Sequence, residues 1–478
     1  MNTLIYTLVG VVMLSEWTTS LGIGPRALSW APEIISGSIV VVVALRIAAD
    51  RSVIIPRKYI ILFSIMFVLI AMGIATNTVQ SGAVFAGLRT YFRYAPVFLL
   101  PMVYYFSDEQ IRRQLKFVLA LALVQLPIAI YQKLYAANPS GDLVTGTVGG
   151  SGTLSIFLIC TMAMMTAFLV KGKIRLMFYA PIIVLLFIPT TINETTVTFF
   201  LMPLAFLLPV LLTPTSRSRF RQLVPVAAVG ALVMVVFVTV YNAQYGDRWH
   251  GESGNETGLG YMLSSGEWLS SAYRGANADT TVEEGKDRRS AVGRLDAVIL
   301  PFKIVSDPVR WMLGNGIGNV SISFNELLQG DYSSEAELYG ADFTAAGKLL
   351  WEIGIIGLIL SFLFFWFVFK DARAVSARDD IPGVIALGWA ATIPILAAAM
   401  FYTNLIDKTV LGYLMWYLSG YVISKHCQQY YQAHNRMGIM MNKGSFQIER
   451  TTPQPGIRPV RDFSLSRERR NQQIARTK

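Results

Sequence analysis

The chain has 478 residues, of which 53% are hydrophobic and only 15% are charged, and its mean hydropathy is +0.48. A soluble domain carries about 25% charged residues, so the composition excludes an ordinary soluble enzyme. Apolar runs long enough to cross ~30 Å of hydrocarbon as a helix recur along the chain. The sequence therefore predicts an all-α, polytopic membrane protein.

The net charge of +11 is concentrated in the C-terminal tail. Residues 425–478 hold 11 Lys or Arg against 3 acidic residues, an excess of eight. Basic residues directly after a membrane segment are typical of a cytoplasmic tail, so we expect membrane lipids as partners and no nucleic acid. The tail has little periodicity, and we predict that it is largely disordered.

Twelve apolar segments follow one another along the chain. Nine of them lie in residues 1–242 and three in residues 349–424, with centres near Leu8, Val41, Phe67, Leu99, Leu123, Phe157, Leu185, Leu204, Val233, Ile359, Ile393 and Trp416. Five alternate connections carry three basic residues each, for example Arg51, Arg57 and Lys58. By the positive-inside rule, both termini are predicted to be cytoplasmic, and residues 243–348 form one large outer loop between the ninth and tenth helices.

Two stretches of the outer loop have recognisable patterns. Residues 295–305 repeat apolar residues at helical spacing, which predicts a short interfacial helix. The glycine-rich stretch from Gly314 to Gly318 lacks the Lys-Ser/Thr of a phosphate loop. A glycine-rich turn is therefore the favoured interpretation. We expect the loop to pack down as a lid over a polar site.

Several arginines are predicted near the outer boundary of the membrane. Arg89 and Arg93 begin the fourth span, and Arg289 and Arg294 lie in the outer loop. The planar guanidinium group binds phosphate through two charge-assisted hydrogen bonds, so these residues are candidates for a lipid pyrophosphate. The alternative is that Arg89 and Arg93 extend to lipid headgroups.

Two carboxylates are predicted at the same level. Glu194 lies in the turn between the seventh and eighth spans, and Glu352 begins the tenth. A charge inside the membrane costs ~3 kcal/mol or more unless it is paired, so both are candidates for function. Glu352 alternatively complements the dipole at a helix N-terminus. No clustered His, Cys or acidic residues have metal-ligand spacing, and neither a metal nor a cofactor is expected.

These features resemble the O-antigen polymerase/O-antigen ligase superfamily of bacterial envelope polysaccharide enzymes. Those proteins have about a dozen spans and one large periplasmic loop, in which an Arg precedes a helix and a Pro precedes a Gly-x-Gly-x-Gly-like turn. The matching residues here are Arg294, Pro308 and Gly314–Gly318. The next helix of the family opens with a pattern similar to that of Leu350, Glu352, Gly354 and Gly357. Arg89 and the turn at residues 146–150 are also similar to the family.

Two departures favour a polymerase over a ligase. Ligases usually carry a His-Asn pair about nine residues before the glutamate, where this chain has Asp342-Phe343. The family often has a Ser-Arg pair between the seventh and eighth spans, where this chain has Asn193-Glu194-Thr195.

The resemblance implies a glycosyltransferase of the bacterial inner membrane. It would join polyprenyl-pyrophosphate-linked oligosaccharide repeats at the periplasmic face, and chain-length regulators and export proteins are plausible partners. Arg294 and Arg89 would stabilise the leaving pyrophosphate, and Glu194 or Asp342 would accept the proton of the acceptor hydroxyl. The alternatives are a ligase-type glycan transferase and a transporter of lipid-linked or anionic glycans. A transporter is expected to show two related halves, and no internal repeat is evident.

Overall fold

The computed structural model describes residues 1–20, 28, 30–50, 55–135, 144–193, 195–213, 216–245, 294–321, 326–333, 341–407 and 409–444. Throughout these residues the fold is helical and contains no strand, which confirms the predicted all-α class. The chain divides into two units, Met1–Gln429 and Tyr430–Lys478. Of the second unit, the structure describes only the end of the last helix.

The helices before the predicted outer loop are α1 (Asn2–Ser20), α2 (Ala31–Asp50), α3 (Arg57–Asn77), α4 (Ser81–Phe92), α5 (Ala95–Val103), α6 (Asp108–Tyr135), α7 (Ser151–Val170), α8 (Leu176–Ile192), α9 (Val197–Leu211) and α10 (Ser216–Tyr245). Those within and after it are α11 (Arg294–Ile304), α12 (Pro308–Leu313), α13 (Ala345–Glu352), α14 (Gly354–Val375), α15 (Ile381–Ala399) and α16 (Thr409–Gly444). Helix α11 coincides with the helix that the sequence predicts at residues 295–305.

Seven of these helices are long and apolar enough to cross a membrane, namely α2, α3, α6, α7, α10, α14 and α15. Helices α8 and α9 are apolar but shorter. Each of the twelve predicted centres falls within a helix. The count of twelve spans and the side on which the loop lies stay predictions.

Helices α7 and α15 form the centre of the first unit, because 78% of the residues in the apolar part of α7 and 83% of those in the apolar part of α15 are buried. Helix α7 packs against α8, α9 and α15, and α15 also packs against α14. The start of α15 is fixed by Asp380, whose carboxylate accepts a hydrogen bond from the backbone N–H of Gly383 at 3.0 Å. The turn that follows the other end of α15, residues 400–407, is therefore held in a fixed position.

Two pairs of helices are separated by a short break at the same end of the bundle. Helix α4 ends at Phe92 and α5 begins at Ala95, directly before Pro96, which has no N–H to continue a helical ladder. Helix α13 ends at Glu352, and α14 begins at Gly354, whose φ is +73°. Only glycine adopts this backbone freely. The two breaks place Arg93 and Glu352 at helix ends rather than inside continuous helices.

Candidate functional site

A polar cavity of about 190 Å³ lies at this end of the bundle. It is bordered by Trp30 directly before α2, by α4, by α13 and by the turn after α15. Its aromatic lining residues include Trp30, and its charged and polar ones are Arg89, Thr90, Ser321, Asp342, Lys348 and Asp407. The fold thus brings together side chains that lie more than 300 residues apart in the sequence.

Lys348 is the buried cation of the cavity. It is only 5% exposed, and its Nζ lies 3.0 Å from Oδ1 and 2.9 Å from Oδ2 of Asp407. Burial lowers the pKa of Lys348, but Asp407 and then Glu352 raise it, and the net direction is upward. Lys348 therefore stays protonated and presents a fixed positive charge to the cavity.

Asn404 connects the two aspartates that line the cavity. Its Nδ2 donates a hydrogen bond to the backbone carbonyl of Asp342 at 2.9 Å and another to the carboxylate of Asp407. Thr344, two residues after Asp342, caps α13 by accepting from the N–H of Gly347 at 3.0 Å. These contacts fix the backbone at and after Asp342, whose side chain lines the cavity.

Arg89 in α4 and Arg93 directly after it both bind the carboxylate of Glu33. Arg89 Nη2 lies 2.8 Å and Arg93 Nη1 lies 3.5 Å from Oε1 of Glu33. Arg89 also stacks on Trp30, with its guanidinium carbon 3.8 Å from the ring centre. Arg93 Nη2 donates to the backbone carbonyls of residues 406 and 407 at 3.1 and 2.9 Å. Arg89 faces the cavity, whereas Arg93 holds its wall.

Glu352 lies behind the cavity wall and is only 1% exposed. The hydroxyl of Ser321, which lines the cavity, donates to its Oε1 at 3.5 Å. Glu352 is the last residue of α13, before the membrane-length helix α14. Burial raises the pKa of its carboxyl group, and Lys348 opposes that rise. Glu352 thus supports Ser321 and contributes to the field around Lys348.

The glycine-rich stretch is a structural turn that holds α13 against α4. Gly314, Gly316 and Gly318 all have positive φ. The backbone N–H groups of Asn315 and Gly316 donate to the carbonyls of Trp351 and Glu352, at 2.8 and 3.0 Å. Those N–H groups cap α13 and are not available to a phosphate, in agreement with the favoured interpretation of the sequence.

Arg294 lies beside the cavity rather than in it. Its Nε donates to the carbonyl of Tyr402 at 3.2 Å, and its guanidinium carbon lies 3.9 Å from the ring centre of Tyr402 and 5.5 Å from that of Phe343. Because Phe343 directly follows Asp342, these contacts position the Asp342 segment. The structure thus places Arg294 next to the predicted site without placing it on the cavity surface.

The structure brings most of the predicted site residues together. Arg89 and Asp342 line the cavity, Arg93 and Glu352 support its wall, and Arg294 adjoins it. Glu194 and Arg289 lie outside the described residues. Asn193, beside Glu194, donates to the carbonyl of Ser151 at the start of α7, at 3.0 Å.

Sequence reasoning missed the pair formed by Lys348 and Asp407, as well as Glu33 and Asn404. The sequence could have indicated Lys348 and Asp407 as candidates, because each is a charged residue at the predicted outer end of an apolar segment. The same criterion had selected Glu194 and Glu352. Glu33 had the same kind of signal, since it opens the second apolar segment. Within the described residues, no group of three or more His, Cys, Asp or Glu side chains lies close enough to hold a metal.

No protein-family model matches this chain, and no curated protein is detectably similar to it. Function is therefore inferred from the residues that surround the polar cavity.

Proposed function

We propose that this protein is a polysaccharide polymerase of the bacterial inner membrane. It joins polyprenyl-pyrophosphate-linked oligosaccharide repeats into a longer chain at the periplasmic face. The observation that carries the proposal is a small polar cavity at a helix-bundle end, in which two cations, Arg89 and Lys348, meet two carboxylates, Asp342 and Asp407. Fixed cations for a departing diphosphate and a carboxylate for a proton are the groups that this reaction requires.

The size of the cavity supports a small group as its occupant. Sites for drug-sized ligands enclose about 300–1,000 Å³, whereas this cavity encloses about 190 Å³. A diphosphate with the first atoms of the sugar fits such a space, and the remaining sugars would lie outside it. Arg89 lines the cavity. Its planar guanidinium group is suited to phosphate oxygens, which it can bind through two charge-assisted hydrogen bonds.

In the proposed reaction, a hydroxyl oxygen of the acceptor repeat attacks the anomeric carbon of the donor. The new glycosidic bond forms as the bond between that carbon and the pyrophosphate oxygen breaks, and the electron pair leaves with the pyrophosphate. Arg89 and Lys348 stabilise the charge that accumulates on the leaving group. Asp342 accepts the proton of the attacking hydroxyl. Asp407 is bound on both oxygens by Lys348 and positions that cation.

The proposed topology has twelve spans with both termini in the cytoplasm and residues 243–348 in the periplasm. The seven membrane-length helices and the basic connections between them support it. Single cysteines introduced at Asp307 and at Gly172, in a Cys160→Ser/Cys427→Ser background, test it. We expect an impermeant maleimide to label position 307 from outside the cell and position 172 only after lysis. The reverse pattern would exclude a periplasmic site.

The reaction itself is tested with the purified full-length protein in detergent. The substrate is the lipid-linked repeat extracted from a strain that lacks the protein. We expect a ladder of lipid-linked products with the unaltered protein and only the single repeat with Arg89→Ala. Arg113→Ala is the matched control, because Arg113 is exposed and pairs with Glu109 away from the cavity. A ladder of equal length from Arg89→Ala would refute the role of the cavity.

One observation favours a second candidate, a transporter of lipid-linked or anionic glycans. Transporter sites are often formed by broken helices, and both the α4–α5 break and the α13–α14 break lie beside the cavity. The ladder assay separates the two functions, because a transporter given lipid-linked repeats in detergent makes no product. A ligase-type transferase would also differ, since it would transfer a glycan to a different acceptor lipid and not extend the repeat.

A further inference from the structure

A second and larger cavity, of about 400 Å³, lies among α1, α6, α7, α15 and α16. Its volume falls within the range of ligand sites, about 300–1,000 Å³. Ile381, the first residue of α15, and Leu396, near its end, both line it. These two residues are fifteen positions apart, so the lining extends about 22 Å along α15 at 1.5 Å per residue. This length and volume suit one extended hydrocarbon chain.

The wall of this cavity is mostly apolar. Its lining is dominated by Leu, Ile, Val, Met and Phe side chains. The hydroxyls of Thr161 and Thr392 donate to carbonyls of their own helices, each at 2.9 Å. The indole N–H of Trp389 donates to Ser419 at 3.2 Å. Because these polar atoms already have protein partners, the interior favours an apolar ligand.

Three basic residues lie at one end of the cavity. Arg112 and Lys116 are one turn apart on the first part of α6, and Lys173 follows the end of α7. All three are exposed, and none forms an ion pair with a described residue. The neighbouring Arg113, which does not line the cavity, is paired with Glu109. The cluster of Arg112, Lys116 and Lys173 therefore presents uncompensated positive charge beside an apolar chamber.

We propose that this cavity binds an anionic phospholipid of the bilayer, with its phosphate at the cluster of Arg112, Lys116 and Lys173 and one acyl chain in the chamber. Charge complementarity selects an anionic headgroup over a zwitterionic one, because each basic residue near the membrane surface contributes roughly a fivefold preference. The site is separate from the polar cavity. The basic cluster lies at the end where α15 begins, whereas Asp407 follows the end where α15 stops.

The far end of the chamber reaches Tyr413. The ring of Tyr413 packs edge-on against that of Tyr94, with 4.8 Å between their centres, and Tyr94 donates to the carbonyl of Ile406 at 2.9 Å. An acyl chain would thus support the inner wall of the segment that carries Asp407. This contact gives the bound lipid a structural role in the bundle.

The test uses the purified full-length protein in nanodiscs made of equal amounts of phosphatidylglycerol and phosphatidylethanolamine. The lipids retained after release from the nanodisc are identified by native mass spectrometry. We expect one phosphatidylglycerol to be retained preferentially, and its excess over phosphatidylethanolamine to fall by roughly a hundredfold in Arg112→Gln/Lys116→Gln/Lys173→Gln. The matched control is Arg57→Gln/Arg113→Gln/Lys370→Gln, which removes three exposed basic residues that do not line the cavity.

A second variant tests the apolar part of the cavity independently of the three basic residues. Thr161→Phe fills the apolar lining and leaves the three cations in place, so it is expected to abolish retention of the lipid. Equal retention of phosphatidylglycerol by the triple variant and by its control would overturn the proposal. Retention of phosphatidylethanolamine in equal amount by the unaltered protein would overturn it too, as would displacement of the phospholipid by added polyprenyl phosphate.

Discussion

Lys348 and Asp407 form a two-pronged ion pair in which Nζ is nearly equidistant from both carboxylate oxygens, at 3.0 and 2.9 Å. The lysine is almost fully buried, whereas the carboxylate side of the pair is 36% exposed. The two residues come from α13 and from the turn after α15. The pair therefore connects the outer-loop side of the cavity to the central helix of the bundle.

Removal of Asp407 is expected to destabilise the protein more than removal of both partners. In Asp407→Asn, Lys348 stays buried without its counter-charge, which we expect to cost about 2–3 kcal/mol, below the range for a fully buried pair because the carboxylate is partly solvated. Lys348→Met/Asp407→Asn removes the buried charge and should recover most of this loss. Thermal unfolding in detergent measures both variants. A double variant less stable than Asp407→Asn would contradict the pairing.

Asp342 is predicted to act as the general base. Asp342→Asn retains the size of the side chain but cannot accept a proton, so we expect the rate of polymer formation to fall by about 10²–10⁴-fold. The KM for the lipid-linked repeat should change little, since the cations are intact. Initial rates with the extracted repeat measure the effect. Asp331→Asn is the control, because Asp331 is a nearby aspartate that does not line the cavity. A rate near that of the control would transfer the role to Asp407 or Glu194.

Arg294 is predicted to act by positioning and not by binding phosphate directly. Arg294→Ala should abolish long polymer while the protein stays inserted, because the contacts with Tyr402 and Phe343 that hold the Asp342 segment are lost. Arg294→Lys retains a cation over the Tyr402 ring, which is worth about 0.5–1 kcal/mol, and should recover short products. Chains of normal length from Arg294→Ala would refute the assignment.

The sequence allowed most of the fold to be predicted, because long apolar runs determine helices with little tertiary information. Arg89 and Glu352 were found in the same way, as charged residues at helix ends, whereas Asp342 was found only through the resemblance, at the position of the ligase histidine. The pair of Lys348 with Asp407 was missed, because a single amino-acid sequence shows neither which loops contact each other nor which charged side chains are buried. The interpretation of Gly314–Gly318 required no such knowledge, since the missing Lys-Ser/Thr already disfavoured a phosphate loop.

The stability of the protein is expected to depend on the ionisation of Glu352. An unfolded glutamate has a pKa of about 4.3, and burial raises the pKa of Glu352 in the folded protein above that value. The folded state thus retains this proton to a higher pH than the unfolded chain. The resulting stability is complete below pH ~4.3 and is lost as pH rises through the folded pKa.

Glu352→Gln resembles the protonated carboxyl at every pH, so its Tm should decline less than that of the unaltered protein between pH 4.5 and 8. Scans of thermal unfolding in detergent across that range measure the difference. Glu109→Gln should leave the decline unchanged, because the side chain of Glu109 is 57% exposed. Parallel curves for Glu352→Gln and the unaltered protein would show that Glu352 is ionised equally in both states.

Gly318 is predicted to be indispensable for the contact between α4 and the glycine-rich turn. A Cβ at Gly318 would lie 1.8 Å from the carbonyl oxygen of Ala83, and φ there is +80°. Gly172 also has a positive φ, of +65°, but a Cβ there meets no atom within 4 Å. Gly172→Ala therefore measures the backbone cost alone, which is about 1 kcal/mol.

We expect Gly318→Ala to lower stability by clearly more than Gly172→Ala does, because α4 must move away from the turn. That movement displaces Arg89 from Lys348 across the cavity, so polymer formation should fall in Gly318→Ala and stay normal in Gly172→Ala. Thermal unfolding and the ladder assay measure the two effects on the same samples. If both variants lost the same stability and made the same ladder, the close approach of α4 to the turn would have no role in forming the site.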